Sequence, residues 1–282
     1  MSSSPTPSPS VAFAEHRIVF GRRRPGTLFV PVRALGNGPD EEIWETKGEL
    51  LFGSLSVDVG QELETASRDV YARLIQRVRE EGYPYFVRMW NYVGGINAHV
   101  DGRERYQMFC AGRHDAFVAA GYHHDVDLPA ASAVGMPGTG LITYFLAARE
   151  PGVQVENPRQ VAAYNYPPQY GPKSPSFSRA TVWRDMVFVS GTSSVIGHES
   201  VHAGDVPAQL DETLRNIEVV LAQTGRSLED VVSAKTYIRN PEDYAVIAGR
   251  LARVFERNIY LEADICRADL ALEIECVAGG QG

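Results

Sequence analysis

The chain alternates between short apolar runs and longer segments in which apolar residues recur every three or four positions. This spacing places apolar side chains on one face of a helix and predicts helices over residues 62–81, 106–120, 206–224 and 243–258. Gly82 and Gly225 follow the first and third of these segments and are predicted to end them, because glycine readily adopts the left-handed backbone at a helix C-terminus.

Apolar runs between the predicted helices are typical of strands. They cover residues 50–54, 85–92, 131–134, 141–148, 186–192, 234–238, 260–267 and 270–276. Each half of the chain therefore passes through the same order of strand, helix, strand, helix and two closing strands, which indicates an internal repeat. The predicted fold class is α/β (α+β), with mixed sheets covered by helices on one side.

The last predicted strand carries two acids where alternation expects apolar residues. Glu273 and Glu275 share one face, opposite Leu272, Ile274 and Cys276. One interpretation is a solvated edge with ordinary glutamates, because charged residues are mostly exposed. In the other, at least one carboxyl lines a cleft, and two that share a cleft repel each other so that one stays protonated.

Four parts are predicted along the chain. Residues 1–47 form a partly flexible N-terminal segment, 48–154 a first domain, 155–178 a connector rich in Pro and Tyr, and 179–282 a second domain. The polar aromatic and basic residues of the connector suit an ordered link or a cleft wall.

Charge and composition restrict the function further. The 282 residues carry a net charge of −8 with a pI near 5.4, which argues against nucleic acid as a partner. No apolar run is long enough to span a membrane, and residues 1–10 lack the parts of a signal peptide, so a cytoplasmic location is predicted. Three cysteines, and His198 and His202 without a third ligand, predict no disulfide framework and no metal. A cofactor-free reaction is expected, since no glycine-rich phosphate loop follows a strand.

Several short motifs together carry a family resemblance. They are Asn157-Pro158-Arg159-Gln160, Tyr170-Gly171-Pro172, Phe177-Ser178-Arg179-Ala180, Ser190-Gly191-Thr192, Ala263-Asp264-Ile265-Cys266-Arg267 and Glu273-Ile274-Glu275. The second half resembles the Rid/YjgF fold, which chorismate mutases of the AroH type share. From about Gly48 onward, the chain resembles the chorismatases, which remove pyruvate from chorismate, and its first half is similar to their degenerate N-terminal domain.

The resemblance implies tandem Rid/YjgF-like domains and assigns roles to particular residues. Glu273 is the expected general acid that protonates the methylene carbon of the enolpyruvyl group, with Glu275 as the fallback. Cys266 is expected near the substrate ring, as in members that form 3-hydroxybenzoate by an intramolecular route. Ala180 stands where the family varies between Ala and Gly, and Ala accompanies the hydrolytic members. The signature is therefore mixed, and a hydroxybenzoate, favoured as the 3-isomer, is the predicted product.

Chorismate carries two carboxylates, so its site requires cationic or hydrogen-bonding groups. The candidates for the carboxylates are Arg113, Arg179 and Arg267, with Tyr166, Tyr170 and Lys173 as hydrogen-bond donors. Ala180 and Thr192 complete the predicted substrate-binding residues. Strand alternation places Arg267 on the face opposite Cys266, which argues against Arg267 if Cys266 faces the cleft.

Other functions remain open at this stage. They are a hydrolytic chorismatase that yields a dihydroxycyclohexadiene carboxylate, a 4-hydroxybenzoate producer, a Rid-type imine or enamine deaminase, and a protein that binds an aromatic acid without turnover. The arginine that Rid deaminases carry on the strand before the glutamate is not evident at the matching position. The predicted partner is a small molecule, and the assembly is a monomer or a homotrimer.

Overall fold

The computed structural model of the protein describes residues 18–20, 42–59 and 62–279. Most of the segment 1–47 that is predicted to be partly flexible lies outside the described residues. Within it, strand β1 covers Ile18–Phe20 and strand β2 covers Glu42–Lys47, and each pairs with one of the two main sheets.

The first repeat is a five-stranded sheet with two helices. After β2 it contains β3 (Leu50–Val57), α1 (Leu63–Glu80), β4 (Tyr85–Gly94), the short ribbon β5 (His99–Val100) and β6 (Arg103–Glu104), α2 (Arg105–Ala119), β7 (Ala130–Met136) and β8 (Leu141–Ala148). The sheet order is β2-β3-β8-β4-β7, and only the β4–β7 pair is parallel. Gly82 adopts a φ of 77° directly after α1, as predicted.

The second repeat is built into a seven-stranded sheet. Its elements are β9 (Val153–Val155), β10 (Ala180–Trp183), β11 (Met186–Thr192), the ribbon β12 (Val195–Ile196) and β13 (Glu199–Ser200), α3 (Val206–Ala222), β14 (Val231–Ile238), α4 (Tyr244–Leu251), β15 (Asn258–Glu262) and β16 (Leu272–Gly279). The sheet order is β1-β15-β14-β16-β11-β10-β9.

The two sheets share one topology. Strands β2-β3-β8-β4-β7 of the first repeat correspond in order to β10-β11-β16-β14-β15 of the second, and the parallel pair β4–β7 corresponds to β14–β15. The internal repeat predicted from the chain is therefore confirmed, as is the mixed α/β fold class.

Three details differ from the prediction. Helix α4 ends at Leu251 rather than near residue 258, because the chain turns through residues 252–257 to start β15. The two closing strands of the second half are expected to be neighbours because they follow each other in the chain, but they are β15 and β16, and β14 lies between them. The predicted strand 260–267 ends at Glu262, so the segment that carries Cys266 is a loop. The domain boundary at residue 154 stays a prediction, although β9 pairs with β10 and so belongs to the second sheet.

Each sheet has one face covered by its own helices, and the uncovered faces meet. On β16, Leu272, Ile274 and Cys276 pack with α3 residues such as Leu210 and Ile217 in one apolar core. The contact between repeats contains a different cluster, whose members include Tyr92, Val134, Ile142, Tyr237 and Ile265. Successive side chains of a strand point to opposite faces, so the residues of β16 between Leu272, Ile274 and Cys276 point towards the first repeat. They include both Glu273 and Glu275.

Candidate active site

A cavity of about 530 Å³ opens where the two repeats and the connector meet. Glu104, Tyr106 and Gln107, at the start of α2, supply its wall from the first repeat. The connector adds aromatic side chains, and the second repeat supplies β11, the β12–β13 ribbon and the loop before β16. The first repeat thus contributes side chains to the cavity, which the sequence alone left undecided.

Glu273 reaches the cavity from β16 and is 3% exposed. Among the described residues, its Oε1 atom has no hydrogen-bond partner. Burial and, to a smaller extent, the charge of Glu275 raise the pKa of Glu273 against the opposing effect of Arg88, and together these causes bring it to about 8. The carboxyl is therefore a neutral acid at pH 7.

Gly191 on β11 provides the space that this carboxyl occupies. A Cβ atom at Gly191 would lie 1.8 Å from Oε1 and 2.6 Å from the Cδ atom of Glu273. Its φ lies outside the left-handed region, so the requirement for glycine is one of space and not of backbone angle. Within the Ser190-Gly191-Thr192 motif, the absence of a side chain at Gly191 therefore leaves room for the Glu273 carboxyl.

Glu275 lies one pleat along the same face of β16 and is also buried, at 4% exposure. Burial opposes its ionisation, but Lys235 and Arg88 outweigh that cost and lower the pKa of Glu275 to about 2. The two acids share a face, as predicted, and both are buried, so the interpretation as a solvated edge is wrong. Their protonation states differ because only Glu275 is paired with cations.

The first repeat has no acids at the equivalent positions. Strand register matches Phe52 of β3 with Leu146, and the corresponding Phe188 of β11 with Val277. Leu146 on β8 therefore corresponds to Val277 on β16. Four residues before each of them lie Ile142 and Glu273, so Ile142 occupies the position of Glu273. Tyr144 occupies the position of Glu275. The acid of this cavity is thus specific to the second repeat.

Cys266 and Arg267 both line the cavity, which corrects the expectation that they face opposite ways. Alternation does not apply to them, because they belong to a loop and not to a strand. Burial and, to a smaller extent, Glu273 raise the pKa of the Cys266 thiol, which comes to about 12. Cys266 is therefore a neutral thiol at pH 7 and not a nucleophilic thiolate.

Arg267 lies between two tyrosines of the connector. Its guanidinium carbon lies 4.3 Å from the ring centre of Tyr170 and 5.2 Å from that of Tyr166. Its Nη1 atom donates to the His198 carbonyl oxygen at 2.8 Å and to Ser200 Oγ at 3.3 Å. With respect to the described residues, Nε and Nη2 remain available, which is the geometry a carboxylate needs.

Arg239 holds the loop that carries Cys266 and Arg267, and sequence reasoning missed it. Its Nε atom donates to the Leu270 carbonyl oxygen, and Nη2 donates to the carbonyl oxygens of Ile265 and Arg267 at 3.0 and 2.9 Å. Its Nη1 atom pairs with Asp264 at 2.6 Å. One planar guanidinium fixes three backbone carbonyls and so makes the loop rigid. In the sequence, the only signal for Arg239 is its position directly after β14.

Of the other predicted ligand residues, Tyr166 and Tyr170 line the cavity and Arg179 lies behind them. Arg179 Nη2 donates to the Tyr166 hydroxyl at 2.9 Å and to the Val161 carbonyl oxygen. This bond leaves the Tyr166 O–H free to donate elsewhere. Arg179 thus supports the wall without forming it.

Besides Arg179, four predicted residues are not among the described residues that line the cavity. Arg113 is buried among the rings of Tyr71, Phe109 and Phe117. Lys173 pairs with Asp115 on α2 at 2.5 Å. Ala180 packs in the apolar core between the second sheet and its helices, and Thr192 is buried with its hydroxyl donating to the Ser190 carbonyl oxygen. All four residues therefore make these contacts outside the cavity lining.

Residues 18–20, 42–59 and 62–279 contain neither a metal-binding cluster nor a membrane-spanning helix. Histidine, cysteine and acidic side chains form no group of three that would hold a metal ion. None of the helices in these ranges has the length and apolar character needed to span a bilayer.

These features define a protein with two repeats of the Rid/YjgF type, in which a neutral buried carboxyl, a neutral thiol and an available guanidinium meet in one cavity. Family comparison agrees with this class. Residues 33–147 match the family described as chorismatase FkbO/Hyg5-like, N-terminal, and residues 172–279 match the family described as endoribonuclease L-PSP.

Individual relatives cover most of the chain. The chain is 38% identical over 252 residues to a 3-hydroxybenzoate synthase of Streptomyces hygroscopicus, covering 82% of this chain and 74% of the relative. It is 38% identical over 260 residues to a chorismatase of Streptomyces rapamycinicus, with coverages of 84% and 77%. A crystal structure of a chorismatase superposes with a TM-score of 0.80 at 33% identity, covering 86% of this chain and 80% of that one. The chain belongs to the chorismatase family.

Proposed function

We propose that this protein converts chorismate into pyruvate and 3-hydroxybenzoate by acid catalysis and without a cofactor. The observation that carries the proposal is the Glu273 carboxyl, which is buried, raised in pKa to about 8 and open to the cavity. An enol ether reacts when its methylene carbon accepts a proton, and this requires an acid that remains protonated at neutral pH. The relatives named chorismatase and 3-hydroxybenzoate synthase support the choice of substrate and product.

In the first step, Glu273 donates its proton to the methylene carbon of the enolpyruvyl group. The developing oxocarbenium-like centre is favoured beside the newly formed Glu273 carboxylate. In the intramolecular route, the ring hydroxyl then displaces pyruvate and forms an epoxide-like intermediate, and its released proton restores Glu273. The intermediate rearranges to the aromatic hydroxybenzoate, so the atoms of chorismate equal those of the two products and no water is consumed.

Cys266 favours the intramolecular route over hydrolysis. Its thiol lines the same cavity as Glu273, and Tyr106 interacts with it. A neutral thiol is a small, weakly polar group and binds water less strongly than a hydroxyl. The resemblance links an alanine at position 180 with hydrolytic members of the family. Ala180 is 0% exposed and packs in the core, away from the cavity.

The proposal is tested by incubating the purified protein with chorismate in D₂O and resolving the products by chromatography with mass detection. We expect 3-hydroxybenzoate and pyruvate in equal amounts, with one deuteron in the pyruvate methyl group when it is trapped promptly as lactate. A dihydroxycyclohexadiene carboxylate would instead identify a hydrolytic enzyme, and 4-hydroxybenzoate a different isomer. No turnover would exclude the proposal and favour a deaminase or a binding protein.

We further propose that Arg267 binds a substrate carboxylate through Nε and Nη2. One charge-assisted bond to a carboxylate contributes about 1.5–3 kcal/mol, so Arg267→Met, which loses at least one, should raise KM by about 10-fold or more while kcat changes less. Arg267→Lys should restore part of the affinity, because it keeps the charge but loses the fork. Steady-state kinetics measure both values, with Arg250→Met as the control, since Arg250 is an exposed arginine on α4. An unchanged KM in Arg267→Met would remove this assignment.

The predicted partner is therefore a small molecule. A monomeric or homotrimeric assembly and a cytoplasmic location stay predictions, as do the roles of individual site residues.

A further inference from the structure

Glu275 is buried between the two repeats and accepts an unusual number of hydrogen bonds. Five side chains donate to its two oxygens: Arg88 Nη2 at 2.7 Å, Ser132 Oγ at 2.5 Å and Tyr237 OH at 3.2 Å to Oε2, and Trp90 Nε1 at 2.7 Å and Lys235 Nζ at 2.9 Å to Oε1. A carboxylate with this many donors is fixed in position and in charge.

The donors come from both repeats. Arg88 and Trp90 belong to β4 and Ser132 to β7, whereas Lys235 and Tyr237 belong to β14 of the second repeat. Arg88 is 2% exposed and stacks on Trp90, with its guanidinium carbon 4.9 Å from the ring centre. Docking of the first repeat therefore delivers a buried cation to β16, close to both acids.

Glu273 receives none of these donors at Oε1, although it lies on the same face of the same strand. The two cations and the two acids form one group, and the cations are bound by the acid that does not line the cavity. A buried cation left without Glu275 would pair with the next available carboxylate, because an unpaired buried charge is costly. Glu273 is that carboxylate.

We infer that Glu275 is a positioning residue that binds the cations at the contact between the repeats and so keeps Glu273 unpaired and in its acid form. The inference rests on the proposed function and adds a role for the first repeat, which acts on the acid through charge. The direction of the pKa shifts agrees, since Arg88 lowers the pKa of Glu273 while Glu275 raises it.

Other charged and titratable groups surround Glu273. Arg88 comes from β4, Tyr237 lies opposite Glu273 on β14, and Lys235 lies opposite Glu275 on the same strand. The cavity that Glu273 reaches is also lined by Glu104, Tyr106, Tyr166, Tyr170, Glu199, Cys266, Arg267 and Asp269. Of these, Arg88 lowers the pKa of Glu273, whereas Glu275 raises it. The balance between Arg88 and Glu275 is therefore what a test must change.

The test compares Glu275→Gln with Lys235→Met over a range of pH. Glu275→Gln removes the carboxylate and leaves Arg88 and Lys235 to stabilise ionised Glu273, so the alkaline limit of kcat should fall by about one pH unit or more. Lys235→Met removes a cation and keeps Glu275, so its alkaline limit should not fall. A purely structural role predicts a lower kcat at every pH in both variants with the limit unchanged, and that outcome would overturn the inference, as would a fall of the limit in Lys235→Met.

A second readout does not depend on turnover. The Glu273 carboxyl is titrated by infrared difference spectroscopy, and its band is assigned by its loss in Glu273→Gln. In the unaltered protein we expect ionisation near pH 8, and in Glu275→Gln at a lower pH.

If the protein does not convert chorismate, the proposed function fails while this titration still decides the inference. An unchanged titration in Glu275→Gln, with the fold verified by thermal unfolding, contradicts it. Should Glu275→Gln not fold, the titration of Lys235→Met decides, and a lower pKa of Glu273 there contradicts the inference.

Discussion

Glu273→Gln should abolish pyruvate release, with kcat reduced by about 10³-fold or more, because general acid catalysis typically contributes 10²- to 10⁴-fold. The amide has the size and hydrogen-bonding atoms of the neutral acid but cannot transfer a proton to carbon. At pH 7 the unaltered side chain is itself neutral, since burial raises its pKa to about 8. The substitution therefore changes the chemistry without introducing or removing a charge, and the thermal unfolding midpoint should stay close to that of the unaltered protein.

Glu199→Gln is the matched control. Glu199 lines the same cavity but is exposed, so its carboxyl is solvated and does not share the environment of Glu273. Its kcat should remain within a few-fold of the unaltered value. The acid assignment is wrong if Glu273→Gln keeps more than about a tenth of kcat, well above what loss of a general acid leaves.

The same pKa sets a pH dependence for the unaltered protein. The acid form of Glu273 is the active one and is fully present well below pH 8, so kcat should fall as pH rises through about 8. An ordinary solvated glutamate would lose its proton near pH 4.3 and be inactive at neutral pH. The alkaline limit therefore separates a buried acid from a solvated one.

Much of the fold follows from the apolar pattern. Helices α1 and α3 and strands β8 and β11 agree with the predicted segments, because long amphipathic or apolar stretches report directly on burial. Strand pairing is harder to predict from the sequence. The chain order suggests that the last two strands pair with each other, yet β14 lies between them, since pairing depends on contacts between distant segments.

The position of Glu273 could be predicted because strand alternation applies to it. Glu273 stands out because alternation places an acid on an otherwise buried strand. Loops were harder. Arg267 was expected to face away from Cys266 because the segment was predicted as a strand, but it is a loop. Arg239 holds this loop through backbone carbonyls, and no sequence pattern reveals such bonds. The burial of Arg113 under three aromatic rings likewise depends on packing between α1 and α2.

The second large effect is expected from Gly191→Ala, which should lower kcat by about 100-fold, since misplacing a reacting group by about 1 Å has an effect of this size. The new methyl group would lie 1.8 Å from Glu273 Oε1, so the carboxyl must move. The clash involves the end of a flexible side chain, so the fold should survive and the loss should appear in kcat. Enzyme kinetics and thermal unfolding of the same sample separate the two effects.

Shortening the acid should relieve this clash. In the unaltered protein, Glu273→Asp withdraws the carboxyl from the cavity and lowers kcat, but in Gly191→Ala the same change makes room for the methyl group. The two substitutions should therefore be non-additive, with the double variant more active than the product of the two single effects. Gly249→Ala on α4 is the control, because no atom lies within 4 Å of its added Cβ, and it should leave kcat unchanged. Strictly additive losses, or a Gly191→Ala variant with full activity, would show that the carboxyl position set by Gly191 does not matter to catalysis.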